Sequence, residues 1–106
     1  MSMSIGDGRK TVTTSGTAVQ LSSTSTPFTK LTITAETDNT NIVVVGSSTV
    51  VAALATRRGT PLAAGDSYTL ELKGQEAGNL TAIYIDAITD TEGVTYSYLS
   101  ETYMNA

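Results

Sequence analysis

The stretch NLTAIYIDAITDTEGVTYSYL, residues 79–99, carries the clearest fold signal in the sequence. It contains two runs of alternating side chains, residues 80–87 and 94–99, and such alternation is typical of β-strands because successive side chains point to opposite faces. The polar segment TDTEG, residues 89–93, separates the runs and ends in glycine. Two strand-like runs joined by a short loop with glycine predict an antiparallel hairpin, which we place at the centre of a β-sandwich.

Further short strand patterns follow one another along the rest of the chain. In FTKLTITAE, residues 28–36, the apolar Leu31, Ile33 and Ala35 alternate with polar residues, as in a half-buried antiparallel strand. Residues 42–45 (IVVV) are apolar throughout, which predicts burial on both faces, either inside the sandwich or under a neighbouring subunit. Turn residues separate the runs, and no segment has a convincing helical pattern. The sequence therefore predicts an all-β sandwich or barrel of seven to eight short strands.

The length of 106 residues predicts a single domain with one thin core. We expect an extended N-terminal arm at residues 1–9, one β-sandwich domain at residues 10–100 and a C-terminal tail at residues 101–106. The predicted core consists of aliphatic side chains from most of the strands. These are Val19, Leu21, Leu31, Ile33, Val43, Val45, Leu70, Ile83, Ile85 and Val94.

Composition narrows the possible function. The chain has no cysteine and no histidine, which excludes disulfides, cysteine metal sites and catalysis by Ser-His or Cys-His pairs. The net charge of -4 argues against nucleic-acid binding, which depends on Lys and Arg at the phosphates. No apolar run approaches the length of a membrane span, and the N-terminus lacks the apolar segment of a signal peptide. We expect no enzyme activity, no cofactor and no metal.

Three carboxylates, Asp86, Asp90 and Glu92, fall within the predicted hairpin. Oxygen ligands at short spacing suit Ca²⁺, but these residues do not have the spacing of an EF-hand loop. Acidic residues are also common in turns for reasons of backbone geometry. We therefore favour a solvated hairpin tip over a calcium site.

Eight residues have the features expected of partner contacts, because each is cationic or apolar and lies in a loop or near a terminus. They are Met3, Ile5, Arg9, Lys10, Arg57, Arg58, Tyr103 and Met104. Arg57 and Arg58 precede Gly-Thr-Pro in a long connection, and adjacent arginines are good interface material. The thin core, the low charge and the apolar run at residues 42–45 predict a covered face and a symmetric homo-oligomer, and these features do not separate a trimer from a dimer.

Three stretches carry a resemblance to a known group of proteins: GRKTVT at residues 8–13, GTPLAAGDS at 59–67, and IYIDA at 83–87 followed by EGVTY at 92–96. Together they resemble the small β-sandwich virion proteins of tailed bacteriophages, which are capsid decoration (cement) proteins and related head-associated structural proteins. The resemblance covers most of the chain and consists of turn and strand patterns. It implies a jelly-roll-like antiparallel β-sandwich, no enzyme activity and oligomers on the outer face of the capsid. Because shell subunits meet at local threefold positions, it also favours a trimer over a dimer.

We therefore expect a virion structural protein, made in the host cytoplasm, that bridges and stabilises neighbouring major capsid subunits on the outer shell. The alternatives are another phage structural role, such as a head fibre base or a tail component, and a carbohydrate-binding β-sandwich module. We expect residues 1–14 to make much of the capsid contact, because Arg9 and Lys10 suit an acidic coat surface and residues 10–14 could add to a sheet edge. The loop at residues 57–66 and the tail with Tyr103 and Met104 are the other candidates.

Overall fold

β-Strands dominate the computed structural model, which describes residues 2–72 and 77–102, without the side chains of residues 2, 3, 101 and 102. The strands are Ser2–Val12 (β1), Val19–Gln20 (β2), Pro27–Phe28 (β3), Lys30–Ala35 (β4), Val43–Gly46 (β5), Thr60–Leu62 (β6), Ser67–Glu71 (β7), Gly78–Asn79 (β8), Tyr84–Ala87 (β9) and Glu92–Thr102 (β10). Two single 3-10 turns, Leu54–Thr56 and Leu80–Ala82, are the helical elements of this part of the chain.

Eight of these strands form two four-stranded sheets in which every pair of neighbours is antiparallel. Sheet A has the order β1-β10-β4-β7 and sheet B the order β2-β9-β5-β6. The short strands β3 and β8 pair with each other. When the other eight strands are counted one to eight along the chain, sheet A has the order 1-8-3-6 and sheet B the order 2-7-4-5. This is the strand order of a jelly roll. The predicted all-β, jelly-roll-like sandwich is confirmed, although the described residues form ten strands instead of seven to eight short ones, and β1 and β10 have eleven residues each.

The predicted hairpin at residues 79–99 is wrong. β9 pairs with β2 and β5 in sheet B, whereas β10 pairs with β1 and β4 in sheet A. The polar segment between them therefore crosses from one sheet to the other, and Thr91 takes a positive φ of 67° in that crossing. Both runs still lie in central strands, because β9 and β10 each have neighbours on two sides. Alternation predicts strands, but it does not say which strands pair.

The N-terminus also differs from the predicted arm at residues 1–9. It is extended, but β1 spans Ser2–Val12 and pairs with β10 without a break, from Ser2 opposite Thr102 to Val12 opposite Glu92. The predicted tail begins inside β10, which continues to Thr102. The two terminal regions therefore form one long antiparallel pair, in which each provides hydrogen-bond partners for the other.

The main core lies between the two sheets. Seven of the predicted core residues are buried there, namely Leu21, Leu31, Ile33, Val43, Val45, Ile85 and Val94, and the other three, Val19, Leu70 and Ile83, pack against the core while partly exposed. Phe28 and Leu80 are also buried in it, although the pattern did not single them out. Tyr96 and Tyr98 of β10 pack against the same core, and their rings stack with centroids 6.3 Å apart.

A second, smaller apolar cluster lies on the outer face of sheet B. Val43 and Val45 point into the main core, so Val44 points outward, where it packs with Val50 and Ala52. Residues 47–58, which we call the cover segment, therefore shield this face of the sheet. Burial on both faces is confirmed for the three valines of β5, but the cover comes from the same chain and not from a neighbouring subunit.

Candidate functional site

The cover segment is held in place by a buried carboxylate. Asp86 is only 1% exposed and lies on β9 of sheet B. Its Oδ2 accepts a hydrogen bond from the backbone N–H of Ala52 at 2.9 Å, and its Oδ1 accepts from the N–H groups of Gly16 at 3.0 Å and Ala87 at 2.9 Å. Such donors offset the cost of burying a carboxylate. Asp86 thus joins both the cover segment and the turn that contains Gly16 to sheet B.

The other two carboxylates of the predicted hairpin hold further connections. Glu92 is 8% exposed and accepts hydrogen bonds from the N–H and hydroxyl of Thr40 and from the N–H of Asn41. Burial raises the pKa of Glu92, but these hydrogen bonds together outweigh it, so that the pKa lies below its ordinary value. Asp90 is exposed, and its Oδ1 accepts from the N–H of Ser15 at 2.7 Å. Hydrogen bonds from Ser15 lower the pKa of Asp90.

These three carboxylates are not arranged as a metal site. Backbone N–H groups donate to all three, and no group of His, Cys, Asp and Glu in the described residues could hold a metal ion. The predicted solvated tip is right for Asp90 and wrong for Asp86 and Glu92, which are buried. All three have a structural task, because each one ties a connection between strands to the sandwich.

The four N-terminal contact candidates all lie on β1, at one edge of sheet A. Ile5 is 77% exposed. Arg9 forms an ion pair through its Nε with Glu36, although its side chain stays 64% exposed. Lys10 is partly buried, and the side chain of Met3 lies outside the described residues. The cationic pair predicted to face an acidic coat is thus partly neutralised within the chain.

Two glycines allow β1 to approach the tyrosines of β10 closely. A Cβ at Gly6 would lie 2.2 Å from the ring of Tyr98, and a Cβ at Gly8 would lie 2.3 Å from the hydroxyl of Tyr96. The tyrosine rings therefore lie over backbone that has no side chain. Burial raises the pKa of Tyr96, and the nearby Tyr98 and Asp7 add to that rise.

The paired ends of β1 and β10 extend past the neighbouring strand of sheet A. β4 pairs with β10 only as far as Leu99, whereas β1 stays paired with β10 up to Ser2 opposite Thr102. The residue pairs beyond Leu99 therefore form a two-stranded extension of about 10 Å, at roughly 3.4 Å per residue. Ile5 opposite Leu99 marks its base, and we call residues 2–5 and 99–102 the ribbon end.

Arg57 and Arg58 lie on the other side of the sandwich, at the end of the cover segment. The Nε of Arg57 donates a hydrogen bond to the carbonyl of Ala52 at 3.0 Å, which makes this arginine part of the cover. Arg58 is exposed, and its backbone pairs with Val51 in an isolated bridge. The structure therefore separates the predicted contact residues into two groups on different sides of the sandwich. Tyr103 and Met104 lie outside the described residues.

The outer face of sheet A is polar and carries charges of both signs, from Asp7 and Arg9 of β1 and from Lys30 and Glu71. Its side chains come from alternate positions of the strands and include Thr95, Ser97, Lys30, Thr32, Thr34, Ser67, Thr69 and Glu71. Two pairs of hydroxyl groups form hydrogen bonds between β4 and β7. The hydroxyl oxygens of Thr34 and Ser67 are 2.7 Å apart, and those of Thr32 and Thr69 are 3.4 Å apart. An apolar spot interrupts it where Ile5 meets Leu99, beside a shallow depression of about 250 Å³.

A more apolar groove opens between the sheets at the edge formed by β6 and β7. It has a volume of about 340 Å³, and Tyr68, Leu70 and Ile83 supply much of its wall.

Sequence patterns also missed Leu54, an apolar side chain that is 79% exposed on the cover segment. The signal for it is weak, because residues 49–55 combine valines that favour a strand with alanines that favour a helix.

Comparisons of the chain with protein-family models, with curated protein sequences and with solved structures give no significant match. No helix in the described residues has the length and apolar character needed to cross a membrane.

Proposed function

We propose that this protein is a virion structural protein of a tailed bacteriophage, which decorates the outer capsid surface and stabilises contacts between major capsid subunits. The proposal rests on the resemblance in sequence and is supported by the fold, because jelly rolls are frequent among viral capsid and lectin domains. A fold by itself does not define a function, so the surface has to supply the specific support.

The observation that carries the proposal is the outer face of sheet A with the ribbon end beside it. No segment of the described chain covers this face, in contrast to sheet B. It offers an apolar spot at Ile5 and Leu99 within a polar surround. Protein interfaces commonly have this arrangement, in which a few apolar anchors are ringed by polar residues that exclude water.

A decoration protein stabilises a shell by mass action. It binds the assembled lattice but not free coat protein, so the assembled lattice becomes the more stable state. We expect apolar burial to contribute more to this contact than charge, because Glu36 partly neutralises Arg9 while Ile5 stays exposed. Full burial of one such aliphatic side chain contributes about 1.5–3 kcal/mol.

Two matched substitutions test this assignment. Ile5 and Leu54 are exposed to nearly the same extent, 77% and 79%, but lie on different sides of the sandwich. Purified Ile5→Ser and Leu54→Ser are added to capsids that were assembled without the protein, and occupancy is measured against concentration. We expect Ile5→Ser to weaken binding by roughly tenfold to a hundredfold and Leu54→Ser to leave it unchanged. Thermal unfolding controls for the fold.

If Leu54→Ser weakened binding and Ile5→Ser did not, the capsid contact would lie on the cover segment, where Arg57 and Arg58 are. Absence of wild-type binding to any capsid would contradict the decoration role itself. Electron microscopy of virions with the protein labelled then distinguishes a tail component or a head fibre base from a capsid protein, because label on the tail alone is incompatible with decoration.

A carbohydrate-binding module is the second candidate, and the groove between β6 and β7 favours it. Lectin domains share the jelly-roll fold, and Tyr68 supplies an aromatic wall of the kind that binding pockets use. A glycan array with the wild-type protein is the direct test. A clear hit that Tyr68→Leu abolishes, in a protein that still unfolds cooperatively, would favour this function over decoration.

A further inference from the structure

β1 has an edge that no described strand occupies. It is the first strand in the order of sheet A, and its continuous register with β10 contains no bulge. An uncovered strand edge is a template for pairing with another chain, and proteins commonly block it with proline, a bulge or a very short strand. β1 has no proline and no bulge and is eleven residues long. Charged side chains can also block an edge, but those of β1 that lie on its outer face, Asp7 and Arg9, have opposite signs.

The hydrogen-bond pattern shows which residues of β1 face this edge. The carbonyl of Gly93 accepts from Glu36 and that of Leu99 accepts from Thr29, so odd-numbered residues of β10 point their backbone groups away from β1. In an antiparallel pair, residues that hydrogen-bond to the partner strand alternate with residues whose backbone groups point away from it. Even-numbered residues of β1 therefore bond to β10. The odd-numbered ones direct their N–H and C=O groups outward, and these are Met3, Ile5, Asp7, Arg9 and Thr11.

We propose that two copies of the protein pair antiparallel through their β1 edges about a two-fold axis at Gly8, which joins their two A sheets into one continuous sheet. In this register Asp7 of each copy lies opposite Arg9 of the other. Opposite charges placed directly across two strands stabilise the pair. The contact is self-complementary, as two-fold symmetry requires.

The charges select this register over its neighbours. A shift by two residues in one direction places Asp7 opposite the Asp7 of the other copy, and a shift in the other direction does the same with Arg9. Like charges directly across two strands are destabilising. On the axis, Gly8 of one copy faces Gly8 of the other as a pair without hydrogen bonds between them. Antiparallel strands approach most closely at such pairs, and glycine has no side chain to clash there.

The other sheet edges offer no equivalent contact. β7, at the opposite edge of sheet A, has Glu71 as its charged residue and no cation. In sheet B, β2 is only two residues long and β6 contains Pro61, which has no N–H to donate. β1 is therefore the longest of the four edge strands and the one that carries both signs of charge.

Arg9 can serve this contact while it keeps its partner within the chain. Its side chain remains 64% exposed in the ion pair with Glu36, and a guanidinium group has several donors. The pair forms in solution without a capsid, so its test is independent of the proposed function. A dimer takes the place of the trimer expected from the sequence, an expectation that relied in part on a neighbour covering residues 42–45.

Sedimentation equilibrium of the full chain tests the proposal, and we expect a dimer. Asp7→Arg creates two cations on the edge and Arg9→Asp creates two anions, so each variant repels its own copy. We expect each to dimerise about tenfold more weakly than the wild type, and an equimolar mixture of the two to regain the affinity as a heterodimer. Thermal unfolding checks that each variant is folded, since Arg9→Asp also removes the ion pair with Glu36.

Cross-linking reports the register independently. The chain has no cysteine, so Ile5→Cys and Thr11→Cys introduce the sole thiols. These two positions lie opposite each other in the proposed pair, at about 5.5 Å between Cα atoms, which suits a disulfide. We expect the mixture to cross-link on oxidation far faster than either variant alone. A monomeric or trimeric wild type, or a folded mixture of charge variants that does not associate, would overturn the proposal.

Discussion

The two sheets of this jelly roll have the same number of strands but opposite treatments of their outer faces. On sheet B, the cover segment places Val50 and Ala52 over Val44 and makes a second apolar cluster. On sheet A, threonine and serine side chains face outward, and no described segment lies over them. The chain thus covers the outer face of sheet B by itself and leaves that of sheet A uncovered.

The residues of the covered side explain why that side has the appearance of an interface in the sequence. The apolar residues 42–45 and the arginine pair both suggest contact with another subunit, yet Val44 and Arg57 make their contacts within the chain. The open side does not stand out in the sequence, because its Thr-rich strands match any half-exposed sheet. An apolar run therefore reports burial, and only the packing shows what buries it.

The largest effect should come from removing the carboxylate that anchors the cover. Asp86→Ala leaves the N–H groups of Gly16, Ala52 and Ala87 without their acceptor. We expect the free energy of unfolding to fall by about 3–5 kcal/mol, measured by urea denaturation. Asp90→Ala is the control, because Asp90 is exposed, and it should cost much less. A small effect of Asp86→Ala would mean that the cover holds without this anchor.

A somewhat smaller effect should follow from crowding the same cover at Gly59. This residue has a φ of +116°, and an added Cβ would lie 2.6 Å from the carbonyl oxygen of Val45 and 2.7 Å from the Val44 side chain. Gly59→Ala should therefore reduce the free energy of unfolding by about 2–4 kcal/mol, from backbone strain and overpacking together.

Gly65→Ala separates these two causes. Gly65 also has a positive φ, +86°, but its added Cβ would meet nothing closer than 4.0 Å. We expect a loss of about 1 kcal/mol from strain alone. Equal losses at the two glycines would show that the cover segment can move away from sheet B at little cost.

Glu92 makes the link between the two sheets dependent on pH, because it starts β10 in sheet A and holds the connection that leads to sheet B. Its pKa is lower in the folded protein than its ordinary value of 4.5. The ionised form therefore contributes stability that is present above that value and is lost as the pH falls through the folded pKa.

Glu92→Gln should reduce the free energy of unfolding by about 1–2 kcal/mol at neutral pH, since the amide keeps one acceptor but loses the charge. The difference between wild type and variant should shrink as the pH falls below 4.5. Unfolding titrations at several pH values measure it. A difference that stays constant with pH would show that hydrogen-bond geometry, and not ionisation, accounts for the role of Glu92.

Much of the fold is predictable from local patterns. Alternation in β4 places Leu31, Ile33 and Ala35 inward, and all three are buried. The pairing of β9 and β10 is not predictable in this way, because a hairpin and a crossing between sheets both need two strands and a polar connection. Long-range hydrogen bonds decide between them, such as those that Glu92 accepts from Thr40 and Asn41.

The candidate surfaces are less predictable than the fold. The basic residues of β1 stand out in the sequence, but nothing there shows that Glu36 would reach Arg9 across the sheet. Nor does the sequence show that Ser2–Val12 would find a partner in the C-terminal strand, since such a pairing joins the two ends of the chain. Extended terminal segments of mixed polarity have the same local pattern whether they are paired or not.

The smallest expected effect gives the sharpest contrast between the two outer faces. Valine and threonine have nearly the same shape, so exchanging them changes polarity with little change in volume. Thr32 lies on the outer face of sheet A, where its hydroxyl is 3.4 Å from that of Thr69, and Val44 lies fully buried on the outer face of sheet B. Val44→Thr buries a hydroxyl without an assured partner and should reduce the free energy of unfolding by about 1–3 kcal/mol.

Thr32→Val should change the free energy of unfolding by no more than about 0.5 kcal/mol, because a half-exposed strand position accepts either side chain and a surface hydroxyl pair contributes little. Urea denaturation of both variants under one set of conditions measures the contrast. If Thr32→Val were as costly as Val44→Thr, the hydroxyl rows of sheet A would be part of what holds the fold together. A near-zero effect leaves those hydroxyls free of any stabilising task within the chain, as expected for a face whose contacts lie with a partner.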